Sequence, residues 1–161
     1  LCQDAAELDL YGTVDGAVCC LDSLNHITDY EKLAAAIKRV ALFLEKDRLF
    51  IFDLNTEYKH REILGNNTFV SEDEKVYCVW QNEYTPYDKT VNMALDFFVL
   101  GENGLYERFC DDVCERAYTK EEIKSILESA GLKIEAIYGD MTESEPNEKC
   151  ERVIYITRKA E

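Results

Sequence analysis

Long apolar runs are absent from this sequence of 161 residues. Because a helix that spans a bilayer needs about 20 consecutive apolar residues, we expect no membrane segment. The first residues, Leu1-Cys2-Gln3-Asp4, have neither the basic nor the apolar region of a secretory signal. The length and the ordinary apolar content of 47% are typical of one globular domain.

Basic residues are scarce, because 18 lysines and arginines stand against 33 acidic residues and the net charge is −15. A surface of this sign repels phosphate backbones and anionic lipid headgroups. We therefore expect no nucleic-acid partner and no membrane partner, and a neutral or cationic small-molecule substrate fits better. The charge has a simpler alternative explanation, since it also increases solubility.

Metal-binding patterns are missing as well. The chain has two histidines and no pair of cysteines in the Cys-x-x-Cys spacing, so no metal site is predicted. The seven cysteines are an odd number and no secretion signal accompanies them. We interpret them as reduced thiols of a cytoplasmic protein.

Residues 16–53 have the pattern of a strand, a helix and a second strand. Gly16–Leu21 is a continuous apolar run, which predicts a strand buried on both faces. A capping box at residues 28–31 opens a helix. Apolar residues follow at helical spacing: Leu33, Ala36, Ile37, Val40, Ala41 and Leu44. Leu49–Phe52 is again typical of a buried strand, so the segment predicts a right-handed βαβ unit with parallel strands.

The rest of the chain changes to antiparallel character. A short helix is expected around Glu57–Leu64, and residues 70–118 alternate apolar and polar side chains as an antiparallel meander does. A second capping box at residues 119–122 opens another helix, which ends near Gly131. Two strands complete the pattern, Leu132–Tyr138 and Arg152–Thr157, and an antiparallel pair is expected because few residues separate them. We expect one α/β domain over residues 1–161, with core segments 1–69 and 119–161 around an insert at about 70–118.

Five segments carry a family resemblance when they are taken in order: Gln3 to Leu8, Val14 to Ile27, Phe50 to Thr56, Tyr118 to Leu132 and Glu151 to Lys159. Together they resemble the C-terminal two-thirds of the class I S-adenosylmethionine-dependent methyltransferases that act on small molecules. The resemblance implies a partial Rossmann-like sheet, with strands 4-5-7-6 of the family order and an inserted antiparallel meander.

The glycine-rich turn of that family is missing, because no Gly-x-Gly-x-Gly occurs in the sequence. In the family, this turn and the helix after it hold the amino-acid portion of the cofactor. We therefore expect this chain to be a truncated, C-terminal part of the enzyme that is inactive alone and binds S-adenosylmethionine poorly.

The resemblance also implies which residues contact the cofactor. Asp4 would accept a hydrogen bond from the adenine amino group, and Leu21 would pack near the methionine portion. The implied cofactor-binding set is Gln3, Asp4, Ala5, Leu21, Asp22, Ser23 and Asn25. The alternative role for Asp4 is to cap a turn.

Methyl transfer from a sulfonium ion depends mainly on placing the nucleophile in line with the methyl group. A Ser/His/Asp arrangement is therefore not required. Asp53 and Asn55 follow the second predicted strand, at the edge where open α/β sheets bind ligands, and they are candidates to orient an amine or a hydroxyl. His26 is the candidate base, with a capping or structural role as its alternative.

Aromatic and basic residues of the insert are candidate substrate contacts. Trp80, Tyr84, Tyr106 and Tyr118 would form an aromatic lid over a sulfonium or ammonium group, or else the core of the meander. Arg108 and Arg116 would bind a substrate carboxylate, or else form surface ion pairs.

The sequence predicts methyl transfer to a nitrogen or oxygen of a small molecule. The alternative is a non-catalytic half-domain that acts as an oligomerisation or binding module. A nucleotide-binding oxidoreductase is disfavoured because no dinucleotide fingerprint is present. Without strands beyond it, Gly16–Leu21 would be an apolar edge strand, which predicts self-association.

Overall fold

The computed structural model describes residues 1–160, which contain two four-stranded sheets and two α-helices. The strands are β1 (Val14–Cys19), β2 (Leu44–Asn55), β3 (Thr68–Glu72), β4 (Val76–Thr85), β5 (Thr90–Leu100), β6 (Tyr106–Arg116), β7 (Leu132–Gly139) and β8 (Arg152–Lys159). The helices are α1 (Tyr30–Phe43) and α2 (Lys120–Ser129), with a 3₁₀ turn at Ala5–Glu7 and a π-helical segment at Lys59–Leu64. The predicted α/β fold class is confirmed.

The main sheet has the strand order β1-β2-β8-β7. β1 and β2 are parallel and α1 connects them, as the βαβ pattern predicts, while β8 is antiparallel to both of its neighbours. Asn55, the last residue of β2, pairs with Arg152, the first residue of β8. The carboxyl ends of β1 and β2 and the amino end of β8 therefore meet at one edge of the sheet, while the outer side of β1 has no neighbour in the described chain.

Both α-helices pack on the face of the main sheet that carries Phe50 and Phe52. The ring of Phe52 stacks on Tyr155 with 5.0 Å between centroids. The buried helix residues are Leu33, Ala36, Ile37 and Ala41 in α1, and Ile123, Ile126 and Leu127 in α2. Each fully buried leucine or isoleucine of this set contributes about 1.5–3 kcal/mol to the fold.

The opposite face of the main sheet is open at β1. Val18 points to this face and is 69% exposed. The expectation that the Gly16–Leu21 strand is buried on both faces is wrong, because both described α-helices pack on the other side of the sheet. Among residues 1–160, no helix has the length and apolar character needed to cross a bilayer.

The two capping boxes have different outcomes. The first is wrong, because Asp29 caps α1 and accepts a hydrogen bond from the Lys32 amide at 2.8 Å. The carbonyl of Thr28 instead accepts from Arg116 Nη1 at 3.2 Å, which ties this residue to the end of β6. The second box is confirmed: Thr119 Oγ1 accepts from the Glu122 amide, and the Glu122 carboxylate accepts from the Thr119 amide.

The second sheet is an antiparallel meander with the order β3-β4-β5-β6. The helix expected around residues 57–64 is present, and its π-helical part is closed by a hydrogen bond from the Gly65 amide to the His60 carbonyl at 2.7 Å. Leu64, at the end of this segment, packs against Val91 and Met93 of β5. The π-helical segment therefore joins the end of β2 to the meander.

Candidate active site

Polar side chains converge at the edge of the main sheet where β1 and β2 end. They come from the loop after β1, from β2, from the π-helical segment, from β6 and from β8. The polar cluster consists of Asp22, Asn25, His26, Asp53, Asn55, Lys59, His60, Glu115 and Arg152. Ligands of open α/β sheets bind at this position, outside the carboxyl ends of the strands.

Arg152 bridges the two aspartates of the polar cluster. Its Nη1 donates to Asp53 Oδ2 at 2.7 Å and its Nη2 donates to Asp22 Oδ2 at 3.0 Å. The backbone amide of Asp22 also donates to Asp53 Oδ2, at 3.0 Å. Asp53 is buried, and its Oδ2 joins the loop after β1 to the start of β8 through these two hydrogen bonds.

The loop after β1 adopts an unfavourable backbone conformation. Leu21 and Asp22 have φ values of 60° and 51°, in the left-handed region. This region costs an L-residue roughly 1–2 kcal/mol, and such outliers concentrate at functional sites. The Asp22 carbonyl accepts from the Asn25 amide at 2.7 Å, which closes the turn. The turn directs the Asp22 carboxylate across to β2.

Asn25 continues the hydrogen bonding of β2 beyond the end of β1. Its Oδ1 accepts from the Asn55 amide at 2.9 Å, and its Nδ2 donates to the Asn55 carbonyl at 3.1 Å. The same Nδ2 donates to the Arg116 carbonyl at 2.9 Å, and the Asn25 carbonyl accepts from the Arg116 amide at 2.9 Å. Asn25 is fully buried, so this side chain fastens the main sheet to the meander.

Glu115 is a buried carboxylate at the centre of the polar cluster. Its Oε2 accepts from Asn55 Nδ2 and from His60 Nε2, both at 2.9 Å. Burial raises the pKa of Glu115, but the hydrogen bonds that the carboxylate accepts from His60 and Asn55 help to outweigh burial, so the pKa lies below its ordinary value. Glu115 is therefore a carboxylate at neutral pH.

His26 forms the exposed side of the polar cluster. Its Nε2 lies 3.7 Å from Glu115 Oε1 and 4.0 Å from Asp22 Oδ1, and its side chain is 43% exposed. The ligand atoms of these three residues lie within 4.8 Å of one another, an arrangement suited to a cation. Three carboxylates face two cations, Lys59 and Arg152, so one negative charge is unbalanced while the histidines are neutral. One monovalent cation would balance it.

The structure brings five of the predicted residues into the polar cluster: Asp22, Asn25, His26, Asp53 and Asn55. Asp4 caps the 3₁₀ turn, where its Oδ1 accepts from the Ala6 amide at 2.9 Å. This is the turn-capping role given above as the alternative to adenine binding. Its Oδ2 lies 3.9 Å from Lys32 Nζ at the start of α1, so this turn is near the same edge of the sheet.

The remaining predicted cofactor residues stay outside the cluster. Gln3 Oε1 accepts from the Asp9 amide, and the Ser23 hydroxyl donates to the Cys20 carbonyl. The side chains of Ala5 and Leu21 are exposed, Leu21 to 73%. These four residues make no hydrogen bond to the polar cluster in the described chain.

Alternation along β6 separates the predicted substrate residues. Glu115 faces the polar cluster, whereas Arg108 and Arg116 lie on the other face of the strand, because each lies an odd number of positions along β6 from Glu115. Arg108 pairs with Asp96 at 2.6 Å, and Arg116 pairs with Glu122 at 2.8 Å. The side chain of neither arginine reaches the polar cluster, although the Arg116 backbone bonds to Asn25.

The predicted aromatic residues are dispersed. Trp80 packs against Phe69 with 5.5 Å between ring centroids, and Tyr84 packs beside Leu64, both in the core of the meander. The Tyr118 hydroxyl donates to the Ile27 carbonyl, and burial raises the pKa of Tyr118 to about 12. Tyr106 is 57% exposed at the far end of β6. These four aromatic rings form no common lid.

Sequence reasoning missed four members of the polar cluster: Lys59, His60, Glu115 and Arg152. One signal was available for Glu115, because it shares a face of β6 with Val113, which packs against the core of the meander. A charged residue on an inward face requires a partner, since burial of an unpaired charge is costly.

Comparisons with known proteins agree with this fold. No protein-family model matches the chain. A protein of Geobacillus sp. (strain WCH70) named "Putative methyltransferase" is 29% identical over 157 residues, which cover 98% of this chain and 64% of that protein. The crystal structure of an S-adenosylmethionine-dependent methyltransferase from Clostridium acetobutylicum ATCC 824 superimposes with a TM-score of 0.90 and 34% identity, covering 100% of this chain and 64% of that one.

A second similar structure is named for its substrate type. CalS10 of Micromonospora echinaspora, an amino pentose methyltransferase solved with S-adenosylmethionine bound, superimposes with a TM-score of 0.73 over 98% of this chain and 63% of its own, at 17% identity. At this identity the likeness concerns the fold alone. The resemblance to class I S-adenosylmethionine-dependent methyltransferases is confirmed, and the chain spans 64% of the length of the curated relatives it matches.

Proposed function

We propose that this chain is the acceptor-binding part of an S-adenosylmethionine-dependent methyltransferase whose acceptor is a small-molecule amine. The observation that carries the proposal is the unbalanced negative charge of the polar cluster, which opens to solvent beside His26. An ammonium group offsets this charge, whereas a hydroxyl does not. The neutral or cationic substrate expected from the net charge of −15 agrees with this choice.

The residues present fit part of the cofactor. Asp4 offers a partly exposed carboxylate beside the 3₁₀ turn, in reach of an exocyclic amine, and Leu21 offers an exposed apolar surface. Bound S-adenosylmethionine supplies the electrophilic methyl group. The sequence contains no glycine-rich turn for the amino-acid portion, so we propose that these residues hold only the adenine and thioether side.

The chain's own groups bind the amine and remove its proton. Glu115 Oε1 and Asp22 Oδ1 accept hydrogen bonds from the ammonium, and His26 Nε2 takes one proton and passes it to solvent through its exposed side. The freed lone pair would then be available to the methyl group that bound S-adenosylmethionine would supply, with S-adenosylhomocysteine as the leaving group. Catalysis here is placement together with proton transfer.

We expect the full-length protein to transfer label from S-[methyl-³H]adenosylmethionine to amines and not to the matching alcohols. The panel pairs each amine with its hydroxyl analogue, from ethanolamine and ethylene glycol to glucosamine and glucose. Binding of S-adenosylhomocysteine, measured by calorimetry, checks the cofactor separately. Transfer to the alcohols in preference to the amines would overturn the amine assignment, and absence of S-adenosylhomocysteine binding would overturn the methyltransferase assignment.

We also propose that the chain self-associates through β1, which is the property expected of an assembly module. The outer side of β1 has no neighbouring strand in residues 1–160, and Val18 of this strand is 69% exposed on the open face of the sheet. Unpaired apolar edges promote pairing between chains, and lysine on an edge strand prevents it. Sedimentation velocity at micromolar concentration should show a dimer or larger species for the chain and a monomer for Val18→Lys.

The matched control for this experiment is Leu105→Lys, at a residue that is 66% exposed and adjoins the other sheet. It should leave the association unchanged. A chain that sediments as a monomer before any substitution contradicts self-association.

A further inference from the structure

His60 is a fully buried imidazole with one hydrogen-bond partner in the described chain. Its Nε2 lies 2.9 Å from Glu115 Oε2, and its Nδ1 has no partner. The neutral tautomer with hydrogen on Nε2 is the one that leaves no buried N–H without an acceptor, and such orphaned N–H groups are rare in folded proteins. His60 therefore donates one hydrogen bond to Glu115 and has no second partner to which a proton could pass.

The π-helical segment explains how His60 reaches Glu115. The His60 amide donates to the Thr56 carbonyl at 3.1 Å, and the His60 carbonyl accepts from Gly65, five residues later. Lys59, the preceding residue, reaches Asn55 Oδ1 at 2.9 Å. Lys59 thus supports Asn55, which donates to Glu115, and the adjacent His60 contacts Glu115 itself. Turns of π-helix are frequently found at functional sites.

The two oxygens of Glu115 have different surroundings. Oε2 accepts both hydrogen bonds that the carboxylate receives from side chains, one from His60 and one from Asn55. Oε1 receives no side-chain hydrogen bond and lies 3.7 Å from His26 Nε2, next to the exposed part of the cluster. Donors on one oxygen restrict rotation of the carboxylate and keep the other oxygen free.

We propose that His60 is a positioning residue, which holds Glu115 by Oε2 so that Oε1 remains turned toward the acceptor amine. This inference rests on the proposed function, because the acceptor is the ligand that Oε1 would meet. His60 touches neither acceptor nor cofactor and acts only through Glu115. A side chain with a donor at the same place should replace it, and an apolar side chain of similar volume should not.

The test compares His60→Leu with His60→Gln in the full-length protein. We expect His60→Leu to raise KM at least tenfold for the amine of the panel with the highest kcat/KM. The KM of His60→Gln should stay within about threefold of the KM of the unsubstituted protein. Equal losses in both variants would overturn the proposal, since packing rather than the donor would then matter. Unchanged KM in His60→Leu would overturn it as well.

A second measurement separates this proposal from the proposed function. The hydrogen bond from His60 helps to hold the pKa of Glu115 below its ordinary value, so His60→Leu should raise that pKa. A depressed carboxyl pKa stabilises the fold above the unfolded pKa, and the gain is lost as pH falls through the folded pKa. In His60→Leu, the loss of urea-unfolding free energy on acidification should therefore be smaller and should end at higher pH, because the folded pKa of Glu115 lies closer to the unfolded pKa, whether or not any amine is methylated. If the unfolding free energy of His60→Leu depends on pH as that of the unsubstituted protein does, His60 does not lower the pKa of Glu115.

Discussion

Glu115→Gln is expected to lower kcat/KM for the amine acceptor by about a hundredfold, which corresponds to about 2.7 kcal/mol of transition-state stabilisation. The glutamine oxygen takes over the hydrogen bonds from Asn55 and His60, because both of these groups are donors. The glutamine NH₂ then occupies the place of Oε1 and presents a donor to the ammonium. Steady-state kinetics with the amine panel measures the effect.

The control for this prediction is Glu107→Gln, on the same face of β6 but exposed. It should leave kcat/KM unchanged. A Glu115→Gln enzyme with kcat/KM within threefold of the original would remove Glu115 from the acceptor site. Because the pKa of Glu115 is depressed, the carboxylate stabilises the fold at neutral pH and this contribution disappears on acidification. The stability difference between Glu115→Gln and the original should therefore narrow as pH falls.

Asn25→Ala is expected to lower the free energy of unfolding by about 2–4 kcal/mol, because each buried group that loses its partner costs about 1–3 kcal/mol. The substitution leaves the amide and carbonyl of Asn55 without the Asn25 side chain, and it removes the donor to the Arg116 carbonyl. Water that enters the space recovers part of the loss. Urea denaturation monitored by fluorescence of Trp80 measures the change.

Ser23→Ala is the matched control in the same loop. The Ser23 hydroxyl donates to the Cys20 carbonyl in an exposed position, so the expected change is within about 0.5 kcal/mol. A loss in Asn25→Ala no larger than in Ser23→Ala would show that Asn25 does not fasten the two sheets.

Local patterns in the sequence predict much of the fold. The helical spacing from Leu33 onward, the alternation in the meander and the capping box at Thr119 each depend on neighbouring residues only, and each is found in the structure. The capping box at Thr28 is wrong because the next residue, Asp29, caps α1, while the Thr28 carbonyl accepts from Arg116, 88 residues away. The exposure of β1 is a property of the sheet, and the apolar run itself contains no information about which faces are covered.

The candidate site could be predicted only in part, because several of its contacts join residues that are far apart in the sequence. Asp22, Asn25 and His26 follow β1, Asp53 and Asn55 lie at the end of β2, and a general rule brings the carboxyl ends of such parallel strands together. Glu115 reaches Asn55 across 60 residues, and Arg152 reaches Asp22 across 130. These contacts depend on how the meander folds back and on which strand is inserted between β2 and β7. No local sequence pattern predicts how the meander folds back or where β8 is inserted.

The position of β8 between β2 and β7 has a consequence for the order in which the chain folds. Asp53 and Arg152, 99 residues apart, come together when β2 gains its second neighbour, because they lie at the paired ends of β2 and β8. Closing a loop of this length has an entropic cost, and chains rich in such distant pairings fold in milliseconds to seconds rather than microseconds. During synthesis, β2 leaves the ribosome well before β8, so it waits with one side unpaired. Until β8 arrives, the nascent sheet is open to pairing with another chain, and the polar cluster lacks the arginine that neutralises its aspartates.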